Sequence, residues 1–143
     1  MRVTKTYDDL LELKDAYLIA SSAACQVASS NQILDLGAGD CEGDIMIDVS
    51  ACEVASGDEI YTIGAQISSS SSFASDIYEI AALALGAATP VHGDTAMGTG
   101  RYILPFQNRI ADGVAKRYMR LYATVAGTIA TGINFTAYLA RKS

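Results

Sequence analysis

Arg117-Tyr118-Met119-Arg120-Leu121-Tyr122-Ala123-Thr124-Val125 places Met119, Leu121, Ala123 and Val125 on one face of an extended chain and Tyr118, Arg120, Tyr122 and Thr124 on the other. Alternation with period two is the signature of a strand with one buried face. Beyond Gly127 and Gly132 the pattern restarts, with Ile133, Phe135, Ala137 and Leu139 alternating against Asn134, Thr136 and Tyr138. The glycine-bounded connector predicts that these two strands form an antiparallel hairpin. The same reading disposes of a deceptive stretch, because residues 121–140 are twenty in a row without a charge, a length that suits a membrane span. Thr124, Gly127, Thr128, Thr131, Gly132, Asn134 and Thr136 interrupt the stretch, and a lipid-embedded helix has no reason to alternate with period two. No membrane partner is expected.

Working outward, Ile45, Ile47 and Val49 alternate with Asp44, Met46 and Asp48, and Tyr61, Ile63, Ala65 and Ile67 alternate with Thr62, Gly64 and Gln66. Shorter strand candidates are Cys25 to Ala28, Ile33 to Leu36 and Arg101 to Phe106, the last with Tyr102, Leu104 and Phe106 on one face. Turn chemistry separates them at Gly37 to Asp44, Ser56-Gly57-Asp58, His92-Gly93-Asp94 and Asp112-Gly113. Many short strands without alternating helices predict an all-β sandwich or barrel. Two segments pull toward helix. Ile77 to Leu85 has the alanine and leucine content of one, with Ser75 as its N-cap. Tyr7 to Ala20, with Leu10, Leu11, Leu13, Tyr17 and Leu18 apolar, reads as a short helix or an ordered arm able to dock on a neighbour. Ser68 to Ser72, five serines before Phe73, reads as an exposed loop.

The chain of 143 residues is half hydrophobic and 18% charged, which suits one self-sufficient core and excludes intrinsic disorder. Its net charge of −6 argues against a nucleic-acid partner, whose phosphates need neutralising. The charges are segregated along the chain. Residues 15–100 carry twelve acids and no Lys or Arg, whereas residues 101–143 carry seven bases and one acid. The basic third must therefore lie against the acidic middle within the molecule, across a subunit boundary, or against another protein. Cys25, Cys41 and Cys52 form no CxxC pair and read as reduced thiols of an intracellular product. No apolar secretory segment follows Met1, so the Asn134-Phe135-Thr136 sequon reads as a chance match.

Few motifs carry chemistry. Ile33-Leu34-Asp35-Leu36-Gly37-Ala38-Gly39-Asp40 resembles the first motif of class I methyltransferases that bind S-adenosylmethionine. The third glycine position holds Cys41, however, and the following residues alternate like a strand where a helix should open, so a plain turn is the expectation. Asp40, Glu42, Asp44 and Asp48 are weak candidates for a hard cation; the EF-hand pattern fails at Ile45 and Ala51, and a solvated acidic turn is the alternative. His92, the only histidine, has no nucleophile at a recognisable spacing and is expected in a surface turn. No acid/base pair can be nominated, and neither catalysis nor a cofactor is expected. Tyr118, Arg120 and Tyr122 form an outward row of the kind that protein contacts favour, with ordinary cross-strand pairing as the alternative.

Several blocks together resemble the capsid cement proteins of tailed bacteriophages, in particular those of the Bordetella-phage type. They are Leu11 to Ala16, Ser21 to Ala24 leading to Ile33 to Ala38, Gln66-Ile67-Ser68 with Phe73, Lys116 to Leu121, then Gly127 and Thr136 to Leu139. The order is right over most of the chain, and the Arg-Tyr-x-Arg-Leu block with its following turn is the most specific part. Cys41 to Asp48 is more acidic than that pattern, and Leu85 to Gly100 does not align. The resemblance implies a jelly-roll β-sandwich over residues 21–143 behind an N-terminal arm at 1–20, with Ile77 to Leu85 a strand despite its composition. It implies a non-enzymatic virion protein, made in the host cytoplasm, that oligomerises as a dimer or trimer on the outer face of the capsid. There it would tie neighbouring capsomers of the major capsid protein together. Contacts would come from Tyr7, Leu10, Leu11, Tyr17 and Leu18 of the arm and from Arg117, Tyr118, Arg120 and Tyr122. The competing expectations are a jelly-roll module for a carbohydrate or receptor and, remotely, a methyltransferase.

Overall fold

The computed structural model describes residues 7–87 and 98–142. After one 3-10 turn at Asp9–Leu11, capped by the Asp8 carboxylate on the Leu10 N–H, every regular element is a strand. The first six are short: β1 (Glu12–Lys14), β2 (Leu18–Ile19), β3 (Ala23–Ala24), β4 (Gln26–Val27), β5 (Ser30–Asn31) and β6 (Leu34–Asp35). Six long ones follow: β7 (Glu42–Cys52), β8 (Ile60–Ser68), β9 (Tyr78–Leu85), β10 (Gly100–Gln107), β11 (Tyr118–Ala126) and β12 (Ile133–Arg141).

All pairings between these strands are antiparallel and build two five-stranded sheets and a separate two-stranded ribbon of β4 with β5. One runs β1-β12-β7-β10 with β2 also on β12; the other runs β3-β11-β8-β9 with β6 also on β11. If β1 with β2, and β3 with β6, are counted as two interrupted strands, the eight strand positions follow 1-8-3-6 in one sheet and 2-7-4-5 in the other. That order is the jelly roll. The inner faces meet as the alternation requires. Ile45, Ile47, Ile63, Ala65, Ile67, Met119, Leu121, Ile133, Phe135 and Leu139 are wholly buried and belong to one core.

The expected hairpin of β11 and β12 is not formed. Both strands exist, but β11 pairs with β8, β3 and β6, and β12 pairs with β7, β1 and β2. Their apolar faces oppose each other across the core, so residues 127–132 cross from sheet to sheet. Gly127 and Gly132, at φ +97° and +95°, make that crossing possible, because a Cβ at either would run into the backbone of Asp58 or of Ile19. The segment with helical composition is β9, as expected: Leu83 and Leu85 oppose Ile63 and Tyr61, and β8 supplies the edge that overrides propensity. Cys25 to Ala28 contributes only β4, since Ala28 and Ser29 have positive φ and turn the chain back into β5. Of the serine run, Ser68 is buried and ends β8, and its Oγ bonds the Ser75 carbonyl at 2.8 Å.

Residues 7–20 do not form a helical arm. Beyond the 3-10 turn they are built into the sheet on β12, with Leu13 and Ile19 in the core. A register shift between Glu12 and Lys14 turns Lys14 inward as well. Its ammonium is fully buried and donates to the carbonyls of Phe135 (2.6 Å), Tyr17 (2.8 Å) and Asp15 (3.0 Å), standing 3.9 Å and 4.3 Å from the centres of the Tyr17 and Phe135 rings. Burial pulls its pKa from 10.5 to about 8. Asn108 does the same job at the opposite end of the sandwich. It accepts from the Cys41 N–H at 2.8 Å and donates to the carbonyls of Gly39 (3.0 Å) and Lys116 (2.8 Å), tying the turn before β7 to the chain between β10 and β11.

Replacing Lys14 by Met keeps the volume and leaves three carbonyls without their donor. Urea unfolding should show a loss of about 2–4 kcal/mol. An unchanged midpoint would mean that the interruption in the first strand does not depend on the ammonium.

Candidate functional site

The outer surface of the β11 sheet carries the row in which a protein contact is expected. Tyr118, Arg120 and Tyr122 do project from its outer face, since Met119, Leu121 and Ala123 fill the inner one, but all three are half-buried. The β8–β9 connector curls over them. Ser70 accepts from the Phe73 N–H at 3.1 Å, and Phe73, at φ +54°, is laid down almost fully buried. Arg120 donates to Gln66 Oε1 at 2.8 Å with its guanidinium 4.5 Å from the Phe73 ring and 5.3 Å from that of Tyr122. Burial lowers its pKa. The row is therefore internally bonded cross-strand structure, not a free guanidinium face.

The charge segregation has the same explanation. Arg101 is bidentate on Asp48 (2.6 and 2.8 Å) and Arg117 on Asp35 (2.7 and 2.9 Å). Lys116 meets Asp76 at 3.2 Å, Lys142 meets Glu42 at 3.5 Å, and Arg109 pairs with Asp40. Each pair joins the basic last third to the acidic middle, so the two are neighbours within one chain. The cause is topology: β10 and the end of β12 lie on β7, and the start of β11 lies on β6. The Arg117 guanidinium, followed by the Gly37 N–H, holds the Asp35 carboxyl down at about 2. These pairs are mostly exposed and individually weak, so they set register and surface charge more than stability.

That pairing also removes the cation reading. Glu42, Asp44 and Asp48 lie along β7 and Asp40 in the turn before it, and three of the four carboxylates face a Lys or Arg. Among the described residues no group of three His, Cys, Asp or Glu side chains converges as a metal site. A groove of about 640 Å³ opens at this end, lined in part by Asp44, Phe106 and Ile110 together with the paired Glu42, Lys142 and Arg109. After Gly39 the chain enters β7, not a helix, so the methyltransferase-like string is a glycine turn in an antiparallel fold. Cys25, Cys41 and Cys52 form no disulfide with one another, and burial pushes the Cys25 thiol up to about 12. His92 lies outside the described residues. No helix among the described residues is long and apolar enough to cross a membrane.

What the surface offers a partner is apolar. Tyr7, Leu10 and Leu18 are 50%, 81% and 53% exposed, and Leu10 stands out from the 3-10 turn as a bare knob. Tyr7 is fixed edge-on to Tyr138 at 5.2 Å and bonded to Glu12 and Asp9. Leu11 and Tyr17 of the same segment turn inward against the core, where the Tyr17 hydroxyl accepts from the Gln26 N–H at 2.7 Å. The buried Lys14 and Asn108, which the fold needs most, gave no sequence signal, because an isolated Lys or Asn beside a strand is normally solvated. No family model matches this chain, and no curated protein matches it.

Two further carboxylates govern the sheet crossing. Glu53 accepts from the Ala130 and Thr131 N–H groups (2.9 and 2.8 Å), and Asp58 from Thr128 N–H and Oγ (3.0 and 2.9 Å). Both pKa values are lowered, chiefly by these backbone hydrogen bonds. A carboxylate depressed in the folded state contributes stability above its unfolded pKa and loses it as pH falls through the folded value. The melting temperature should therefore drop on acidification below the ordinary carboxylate range. Glu53→Gln with Asp58→Asn should make that acid limb shallower; an unaltered limb would place the acid-labile contacts elsewhere.

Proposed function

We propose that this protein is a structural component of a bacteriophage virion that seats on the outer face of the assembled capsid and cements neighbouring capsomers. The observation that carries the reading is where the resembling blocks come to lie. Ser21 to Ala24, Ile33 to Ala38, Gln66 with Phe73, and Lys116 to Leu121 are scattered through the sequence, yet all meet along β11. Ala24 opposes Tyr122, Asp35 opposes Tyr118 and bonds Arg117, and Gln66 and Phe73 hold Arg120. These four blocks pack together on one sheet, while Leu11 to Ala16 and Thr136 to Leu139 meet as β1 and β12 of the other, so the resemblance runs through both sheets of a jelly roll, the architecture it implied. A chain that pairs Arg101, Arg109, Lys116, Arg117 and Lys142 with its own acids, and that sets exposed Leu10 and Leu18 along the edge of the β12 sheet, suits repeated attachment to a protein lattice. A protein that binds only the assembled shell stabilises it by mass action, and repetition over symmetry-related sites multiplies a modest contact.

The test is co-sedimentation with assembled capsids against free capsid subunits, with the chain expected on the first and not the second. Leu10→Asp with Leu18→Asp alters only exposed side chains and should cut occupancy by about tenfold without changing the melting temperature. Equal binding to shells and subunits would sink the cementing role, and undiminished occupancy of the double variant would remove this edge from the contact. Saturable binding to a sugar or to cells without any shell would replace the reading with a recognition module.

A further inference from the structure

Asp112-Gly113 is the only Asp-Gly pair in the chain, and no asparagine precedes a glycine. At every other aspartate the next residue carries a side chain, which crowds the approach of its amide nitrogen to the carboxyl. The pair sits at the tip of the connector between β10 and β11, where Ala111 to Val114 are all exposed. The Gly113 N–H closes the turn on the Ile110 carbonyl at 2.9 Å, and the Val114 N–H donates to Asp112 Oδ1 at 2.8 Å. That second bond pins the carboxyl on the Gly113 side of its own backbone, beside the nitrogen it would have to meet. Gly113, at φ +79°, stands in open surroundings: a Cβ built there would meet only the Arg109 guanidinium, at 3.8 Å.

We infer that Asp112 is a site of spontaneous covalent modification, isomerising to a β-linked isoaspartate that reshapes the groove wall formed by Arg109, Ile110 and Ala111. In the first step the Gly113 nitrogen attacks Asp112 Cγ. An N–Cγ bond forms, a Cγ–O bond breaks, and the amide proton and the acid proton leave with that oxygen as water, giving a five-membered succinimide. In the second step one water opens the ring. Attack at Cγ restores the aspartate, whereas attack at the backbone carbonyl carbon breaks the original peptide C–N bond and leaves Gly113 joined through Cγ. The net composition is unchanged, so neither an oxidant nor a co-reactant is needed. The product carries one more carbon in the backbone of a tight turn and its carboxylate on Cα. This turn holds Arg109 on Asp40 and links Asn108, the tie to Gly39 and Cys41, to Lys116. Lengthening it breaks the Gly113 to Ile110 bond and shifts Arg109 and Ile110 on the groove wall. The site does not rest on the capsid reading and would hold for a jelly roll of any function.

The test stores the purified full chain at neutral pH and physiological temperature and then digests it with trypsin, which releases the peptide from Ile110 to Lys116. With time a second peptide of identical mass should elute separately and accept a methyl group from an isoaspartyl methyltransferase. Asp112→Glu, whose ring would need one more member, should lose that second form while keeping the circular dichroism and melting of the parent. Asp112→Asn should reach the same succinimide faster, releasing ammonia in place of water. A single unmodified peptide after storage long enough to isomerise the same peptide free in solution would overturn the assignment. Isoaspartate arising at other aspartates while Asp112 stays intact would do so too.

Discussion

The crossing between β11 and β12 is the constraint on which the rest of the molecule depends. Each is the strand around which its sheet is assembled: β12 carries β1, β2 and β7, and β11 carries β3, β6 and β8. Six connecting residues, 127–132, can span at most about 20 Å, ample for two sheets about 10 Å apart. The crossing succeeds because two glycines occupy left-handed backbone positions where any side chain would strike a neighbouring strand or loop, and because Glu53 and Asp58 satisfy the N–H groups exposed on the way. Were the chain to turn back beside itself as a hairpin, the apolar stripes of both strands would lie in one sheet and the ladder on β8 or on β7 would be lost.

Once the two strands face each other, the electrostatics follow. Bringing the last third of the chain between strands from the middle sets Arg101 beside Asp48 and Arg117 beside Asp35. The charge pattern of the sequence is thus a record of which strands are neighbours. The consequence for function is a change in the kind of contact to expect. In the proposed role, affinity for a shell would come from apolar protrusions such as Leu10 and Leu18. Binding of that kind resists salt, whereas binding by a positive face weakens steeply with ionic strength.

Much of this was legible in the residues, and the remainder fails for identifiable reasons. Strand positions came directly from period-two alternation, and Tyr61, Ile63, Ala65 and Ile67 all lie on the core face. Pairing was not legible: a glycine-bounded connector of six residues serves a hairpin or a sheet crossing equally well, and the choice is made by which partners bury more surface. The N-terminal segment misled because leucines at positions 10, 11, 13 and 18 satisfy a helical spacing while also fitting two short strands broken at Lys14. In the candidate site, the outward direction of Tyr118, Arg120 and Tyr122 was readable. The stacking of Phe73 on Arg120 was not, since it depends on a serine-rich connector held by its own hydroxyls.

The most direct test of the proposed cementing role is a cryo-electron-microscopy reconstruction of phage particles isolated with this protein. The account predicts density of a two-sheet jelly roll on the outer face of the shell, touching more than one capsomer, with the sheet edge that carries Leu10 and Leu18 toward a neighbouring protein. A shell whose outer surface is bare, or this chain located in the tail or inside the particle, would contradict it.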